Sequence, residues 1–95
     1  MASVRIDGDK LVFEGAVTML TAPALLQAVE RAGGAAPRRI DMRGVSDLDS
    51  AGVALILQIA RSAESDGAAL PIEGAPPALA KLVRLYGVDA LFALA

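Results

Sequence analysis

The stretch that decides the fold is residues 40–57, which read IDMRGVSDLDSAGVALIL. At its start Ile40 and Met42 alternate with Asp41 and Arg43, so apolar and charged side chains fall on opposite sides of an extended chain. That period of two is typical of a β-strand. A polar segment rich in glycine, serine and aspartate comes next, and an apolar run follows it. The stretch therefore predicts a strand, a loop and a helix.

The predicted helix begins near Ser50. Serine is a good N-cap because its hydroxyl accepts a hydrogen bond from an unpaired first-turn N–H group. The helix is apolar on two sides. One stripe at helical spacing is formed by Val53, Ile56, Leu57 and Ala60, and a second by Leu55 and Ile59. One stripe is enough to dock a helix on a sheet. We therefore expect the second to pack on another helix of the chain or on a partner protein.

The segment before this stretch predicts a hairpin and a helix. Two alternating runs flank Asp7-Gly8, a dipeptide typical of a tight turn between antiparallel strands. Residues 15–20 are interpreted as a connector. A helix then runs from Thr21 to about Ala32 and ends at Gly33-Gly34, since glycine accepts the left-handed conformation that follows a C-cap.

The segment after the stretch predicts a strand, a helix and a final turn. Pro71 lies in the strand over residues 69–73, and its missing N–H group places this strand at a sheet edge or ends its pairing there. The apolar face of the third helix consists of Leu79, Leu82, Val83 and Tyr86. Gly87 ends that helix, and residues 88–94 form a last apolar turn.

The order of elements is therefore β-β-α-β-α-β-α, with helical crossovers between parallel strands. It predicts an α/β fold, in which a four-stranded mixed sheet is covered by helices and the strand at Ile40–Met42 is central. A chain of 95 residues has room for one hydrophobic core. We therefore expect residues 1–95 to form a single domain.

Two stretches resemble a known family. The pattern IDxxGVxxLDSAGVALIL over residues 40–57 resembles the signature of STAS domains. Two branches of that family matter here: the anti-sigma-factor antagonists, and the small MlaB-type subunits of bacterial phospholipid-transporting ABC complexes. The pattern LAKLVRLYGV over residues 79–88 resembles the C-terminal helix of the MlaB type. The resemblance covers most of the chain from Arg39 onward and implies the STAS-like architecture, which agrees with the order of elements above.

The chain departs from one branch of the family at Ala51. Anti-sigma-factor antagonists typically carry the motif Asp-Ser-Ser-Gly, and their partner kinase phosphorylates the second serine. Ala51 occupies that position and has no hydroxyl. Ser50 corresponds to the first serine, or to the threonine that is common in MlaB-type proteins. The resemblance therefore implies that the usual phosphoserine switch is absent.

Composition excludes several classes of protein. The chain is 55% hydrophobic, yet its apolar runs, such as Val53 to Leu57, are far shorter than the ~20 residues that span a bilayer. No N-terminal segment has the layout of a secretion signal, in which basic residues are followed by an apolar run and then by small residues. Cysteine and histidine are absent, which rules out thiolate chemistry and the usual zinc sites. We expect a cytoplasmic protein without direct membrane insertion.

Charge and aromatic content argue against nucleic-acid binding. The net charge is −2, and the nine Lys and Arg residues are scattered except for the pair Arg38-Arg39. Three aromatic residues offer no platform for stacking bases.

Three carboxylates, Asp41, Asp47 and Asp49, lie within nine residues and raise the question of catalysis. They are compatible with a metal site or an acid–base pair. The simpler interpretation is favoured: Asp41 is a strand residue, and Asp47 and Asp49 supply negative charge near a helix N-terminus. With no glycine-rich phosphate loop either, the chain is predicted not to be an enzyme and to need neither cofactor nor metal.

Ser50 has two interpretations that the residues leave open. It is either a plain N-cap or a recognition hydroxyl at an exposed helix N-terminus, where phosphorylation would be favoured by the dipole and opposed by Asp47 and Asp49.

The resemblance implies a protein partner rather than a small-molecule ligand. For the MlaB type, the partner is the cytoplasmic ATPase of the ABC transporter, which would place the chain at the periphery of the inner membrane. The alternative partner is an anti-sigma kinase. The expected partner-binding residues are Leu48, Asp49, Ser50, Ala51, Gly52, Val53 and Leu55. Gly52, lacking a side chain, is expected to let the partner's backbone approach closely.

Overall fold

The computed structural model describes residues 2–32, 38–63, 70–87 and 92–94. The strands are β1 Ser3–Asp7, β2 Lys10–Val17, β3 Arg39–Leu48, β4 Leu70–Glu73 and β5 Phe92–Leu94. The helices are α1 Ala22–Ala32, α2 Ser50–Ala63 and α3 Pro77–Leu85. The helix end predicted at Gly33-Gly34 and the first part of the predicted final turn lie outside the described residues.

The strands form one mixed sheet in the order β1-β2-β3-β4-β5. β1 and β2 are an antiparallel hairpin that turns at Gly8, whose φ is 64°. Every later neighbouring pair is parallel. The predicted succession of elements, the STAS-like fold and the central position of β3 are confirmed. The prediction of a final turn is corrected: β5 pairs with β4, so the sheet has a fifth strand beyond the four that were predicted. The sequence does not reveal this strand because three apolar residues are too few for a period of two to be recognised.

Pro71 limits the pairing of β4 on one side. β4 meets β3 through two residues, Ile72 and Glu73, and lies opposite β5 through Leu70, Pro71 and Ile72. The predicted edge position is therefore wrong, since β5 covers that side of β4. The other alternative, that pairing ends at the proline, is what the structure shows between β4 and β3. Pro71 has no N–H group to donate to β3.

The three helices cover one face of the sheet. From β2 to β5, each strand lies next to the one before it, always on the same side of it in the sheet. Because the crossover connections share one handedness, all the connecting helices lie on the same face of the sheet. α2 lies between α1 and α3 and contacts both. The core that these elements share includes Phe13, Leu25, Ile40, Met42, Val53, Ile56, Ile72, Leu79 and Val83.

Both apolar stripes of α2 are used inside the chain. Val53, Ile56 and Ala60 of the first stripe and Leu55 and Ile59 of the second are all at most 4% exposed. The second stripe was expected to pack either on another helix of the chain or on a partner protein. It is buried within the chain, where α2 contacts α1 and α3. Val53 and Leu55 are consequently core residues and offer no surface to another protein.

The opposite face of the sheet carries charged side chains centred on Asp41. Asp41 is 7% exposed, and its Oδ1 accepts hydrogen bonds from the backbone N and Nε of Arg43 at 2.9 and 3.1 Å. Its Oδ2 accepts a third from Nη2 of Arg43 at 2.8 Å, and Nζ of Lys10 lies 3.9 Å away. The hydrogen bonds from the Arg43 side chain and backbone lower the pKa of Asp41 to about 2. The interpretation of Asp41 as a strand residue therefore fits its surroundings.

We predict that Asp41 makes the stability of the domain depend on pH in the acid range. Its pKa in the folded chain, about 2, lies below the ordinary value of 3.8. The stabilisation is fully present above the ordinary pKa and is lost as pH falls through the folded one. That shift corresponds to about 2 kcal/mol of unfolding free energy. Urea unfolding at several pH values checks this, with Asp41→Asn as the control. A stability difference between the two proteins that does not shrink with acidification would contradict the prediction.

At Gly52 the helix α2 approaches the sheet closely. A Cβ atom at this position would lie 2.1 Å from the carbonyl oxygen of Val17 and 2.8 Å from Cδ1 of Leu48. Gly52 is buried by this contact. The expectation that it admits a partner's backbone is corrected: the backbone that approaches Gly52 is that of β2 in the same chain.

We predict that Gly52→Ala destabilises the domain by about 1–3 kcal/mol, because backbone atoms have to move to admit the methyl group. Helix propensity alone predicts the opposite sign, since alanine is favoured over glycine by roughly 1 kcal/mol inside a helix. Ala54→Ser, at an exposed position of α2, is the matched control and is expected to change little. A thermal unfolding midpoint for Gly52→Ala at or above that of the wild type would refute the close approach.

Candidate functional site

The candidate site lies at the carboxyl edge of β2 and β3. These strands are parallel and end opposite one another at Val17 and Leu48. The segments that follow them therefore leave the sheet at the same edge. One is the loop of residues 18–21, called the β2–α1 loop below, and the other is Asp49 with the first turn of α2.

Asp49 is the N-cap of α2. Its Oδ1 accepts a hydrogen bond from the backbone N of Gly52 at 2.9 Å, and its backbone oxygen accepts one from the N of Val53 at 3.0 Å. This arrangement is typical of an N-cap side chain that satisfies a first-turn donor. The prediction that Ser50 is the cap is therefore wrong by one residue. Ser50 is the first residue of the helix and is exposed, which leaves its hydroxyl available for recognition.

The same carboxylate also holds the β2–α1 loop. Oδ2 of Asp49 accepts a hydrogen bond from the backbone N of Met19 at 3.0 Å. The hydrogen bonds from Met19 and Gly52 lower the pKa of Asp49, so its charged form is favoured. One side chain thus joins two segments that are thirty residues apart in sequence.

The β2–α1 loop has its own set of hydrogen bonds. Oγ1 of Thr21 accepts from the backbone N of Thr18 at 3.0 Å and donates to the carbonyl of Ala16 at 2.8 Å. The backbone N of Thr21 donates to the carbonyl of Thr18 at 3.0 Å. Between these threonines, Met19 is 70% exposed and Leu20 is 87% exposed. The loop is therefore held in one conformation while two large apolar side chains face solvent.

The structure divides the predicted partner-binding residues into two groups. Ser50 is exposed and Leu48, Asp49 and Ala51 are half-buried, whereas Gly52, Val53 and Leu55 are buried. The accessible surface is thus smaller than expected on the helix and extends instead onto Met19 and Leu20. Sequence reasoning missed these two residues because it treated residues 15–20 as a connector. The available signal was a pair of large apolar residues between two threonines.

The three carboxylates that the sequence singled out are engaged in local structure. Asp41 is bound by Arg43, Asp49 by Met19 and Gly52, and Oδ1 of Asp47 accepts from the backbone N of Leu48 at 2.9 Å. Within residues 2–32, 38–63, 70–87 and 92–94, no group of three or more acidic side chains is placed to hold a metal ion. Across the same ranges, every helix is too short or too polar to cross a bilayer.

Two solved structures resemble this fold. An anti-sigma factor antagonist from Mycobacterium paratuberculosis superposes with a TM-score of 0.69 and 26% identity, over 99% of this chain and 83% of that one. The unphosphorylated anti-sigma factor antagonist SpoIIAA superposes with a TM-score of 0.57 and 17% identity, over 90% of this chain and 83% of that one. No curated protein sequence matches the chain.

One family model matches nearly the whole sequence. It is described as Mlab, STAS domain, and covers residues 2–94. That range contains the charged sheet face, the Asp49 cap and the β2–α1 loop described above. STAS domains mediate protein–protein interactions, which agrees with an exposed surface on which Met19, Leu20 and Ser50 face solvent. The chain therefore belongs to the Mlab STAS domain family.

Proposed function

We propose that this chain is a non-enzymatic subunit that binds the cytoplasmic ATPase of an Mla-type ABC phospholipid transporter and stabilises or regulates the assembled complex. The observation that carries the proposal is the match of residues 2–94 to the Mlab STAS family. The departure at Ala51 supports it, because the hydroxyl that anti-sigma-factor antagonists use as a switch is missing. The chain would then be cytoplasmic and peripheral to the inner membrane through its complex.

The surface proposed for the ATPase is the exposed part of the site. It consists of Ser50 with the half-buried Leu48, Asp49 and Ala51 beside it. A serine at the first position of a capped helix presents a small polar group with little bulk around it, which suits close packing with another protein. Gly52, Val53 and Leu55 contribute by holding the helix against the sheet.

A second candidate function is binding to an anti-sigma kinase. It is favoured by the structural similarity to the Mycobacterium paratuberculosis anti-sigma factor antagonist, which is 26% identical. The two functions use the same edge of the sheet and differ in the partner. Binding measurements with both partners therefore separate them.

We predict that the chain is not phosphorylated at Ser50 by an anti-sigma kinase. A phosphate there would lie next to the Asp49 carboxylate, and the N–H of Gly52 that a phosphate could use is already bound to Asp49. Incubation with the kinase and ATP, followed by intact-mass spectrometry, is expected to show no added phosphate. Stoichiometric phosphate mapped to Ser50 would favour the second candidate function.

We also predict that Ser50→Arg abolishes co-purification with the ABC ATPase subunit, because a long charged side chain would stand where the partner packs. The variant is expected to stay folded, since Ser50 is exposed and does not cap the helix. Leu85→Arg is the matched control: Leu85 is 74% exposed on α3, at the other end of the helical layer. If Ser50→Arg co-purifies as well as Leu85→Arg, the interface lies elsewhere.

A further inference from the structure

We infer that Met19 and Leu20 are the principal apolar contact with the protein partner, and that they enter a partner pocket with an apolar floor and a basic rim. The inference rests on the proposed function, because it concerns the same edge of the sheet. It adds two residues to the site and specifies the chemistry of the partner's surface.

The first support is the exposure of two neighbouring apolar side chains on an ordered loop. Met19 and Leu20 are 70% and 87% exposed, so both retain an unfavourable apolar contact with water that burial against a partner would relieve. The backbone is already fixed by the hydrogen bond that Met19 donates to Asp49 and by those between Thr18, Thr21 and Ala16. A loop ordered in advance loses little further entropy on binding, which favours affinity.

The second support is that Asp49 joins this loop to Ser50. Its two carboxylate oxygens hold Met19 on one side and the first turn of α2 on the other. The apolar pair and the Ser50 hydroxyl therefore belong to one surface whose parts are fixed relative to each other. Asp49 is a positioning residue for the whole surface.

The third support is the negative charge of this surface, which indicates what kind of partner binds to it. Residues 16–22 and 44–52 contain Asp47 and Asp49 but no Lys or Arg. An anionic membrane would repel this surface. A second copy meeting it through a two-fold axis would bring like charges together, which is unfavourable. A protein pocket that carries Lys or Arg around its rim complements both the apolar pair and the carboxylates.

The test measures binding of Leu20→Ser and Met19→Ser to the purified ABC ATPase subunit, and in parallel to an anti-sigma kinase. Burial of one such side chain predicts a loss of affinity of about 10- to 100-fold for each variant. Leu85→Ser is the matched control and is expected to bind like the wild type. Thermal unfolding midpoints are expected to be nearly equal for all four proteins, since each altered side chain is mostly exposed. Wild-type affinity is expected to fall as salt rises, because ions screen the basic rim from Asp47 and Asp49.

The positioning role of Asp49 is tested in the same assay by Asp49→Asn. Asparagine is a good N-cap, but its amide has one acceptor oxygen where the carboxylate has two. One of the two backbone N–H groups, that of Gly52 or that of Met19, would then face the amide NH2 group, which donates and cannot accept. Faster amide exchange at Met19 and weaker partner binding are the expected result, with a modestly lower unfolding midpoint because one hydrogen bond and the charge at the helix N-terminus are lost. Wild-type affinity in this variant despite the faster exchange would overturn the positioning role.

The outcomes separate this inference from the function on which it rests. If the wild type binds neither partner, the proposed function fails, and this inference fails with it. If the wild type binds one of them and Leu20→Ser binds equally well, the apolar contact alone is overturned. If the wild type binds anionic vesicles and Leu20→Ser does not, the surface binds lipid. If the wild type is a dimer and Leu20→Ser is not, the surface binds a second copy of the chain. Either result would also overturn the inference.

Discussion

The carboxylate of Asp49 ties together the two segments that leave the sheet beside each other. One oxygen closes the first turn of α2 and the other holds the backbone of the β2–α1 loop. The close contact between Gly52 and the carbonyl of Val17 also packs the first turn of α2 against the end of β2. Parallel pairing of β2 with β3 brings these groups to one edge, so the exposed surface depends on long-range strand pairing as well as on local capping.

Much of the fold could be predicted because its signals are local. The alternation around Ile40, the helical spacing of the apolar residues after Ser50 and the Asp7-Gly8 turn each reflect a backbone geometry that a few neighbouring residues determine. The fifth strand was missed because residues 92–94 are too few to show a period. Their pairing with β4 is decided by tertiary contacts.

The exposure of the predicted site residues was anticipated less accurately, because exposure is not a local property. Val53 and Leu55 belong to apolar stripes, and spacing alone does not say whether a stripe meets the chain's own helices or another protein. Asp49 and Ser50 are both good caps, and the end of β3 at Leu48 decides between them. The backbone of Met19 is held by a hydrogen bond to Asp49, a residue distant in sequence, and no short motif reveals such a contact.

The contact between Gly52 and Val17 also separates a position of this surface that does not tolerate a side chain from positions that do. Position 52 is confined to glycine by the backbone behind it, whereas the exposed positions 19, 20 and 50 carry side chains on which the core does not depend. At the proposed interface, substitutions at those three positions would therefore change the contacts with a partner while the core stays intact.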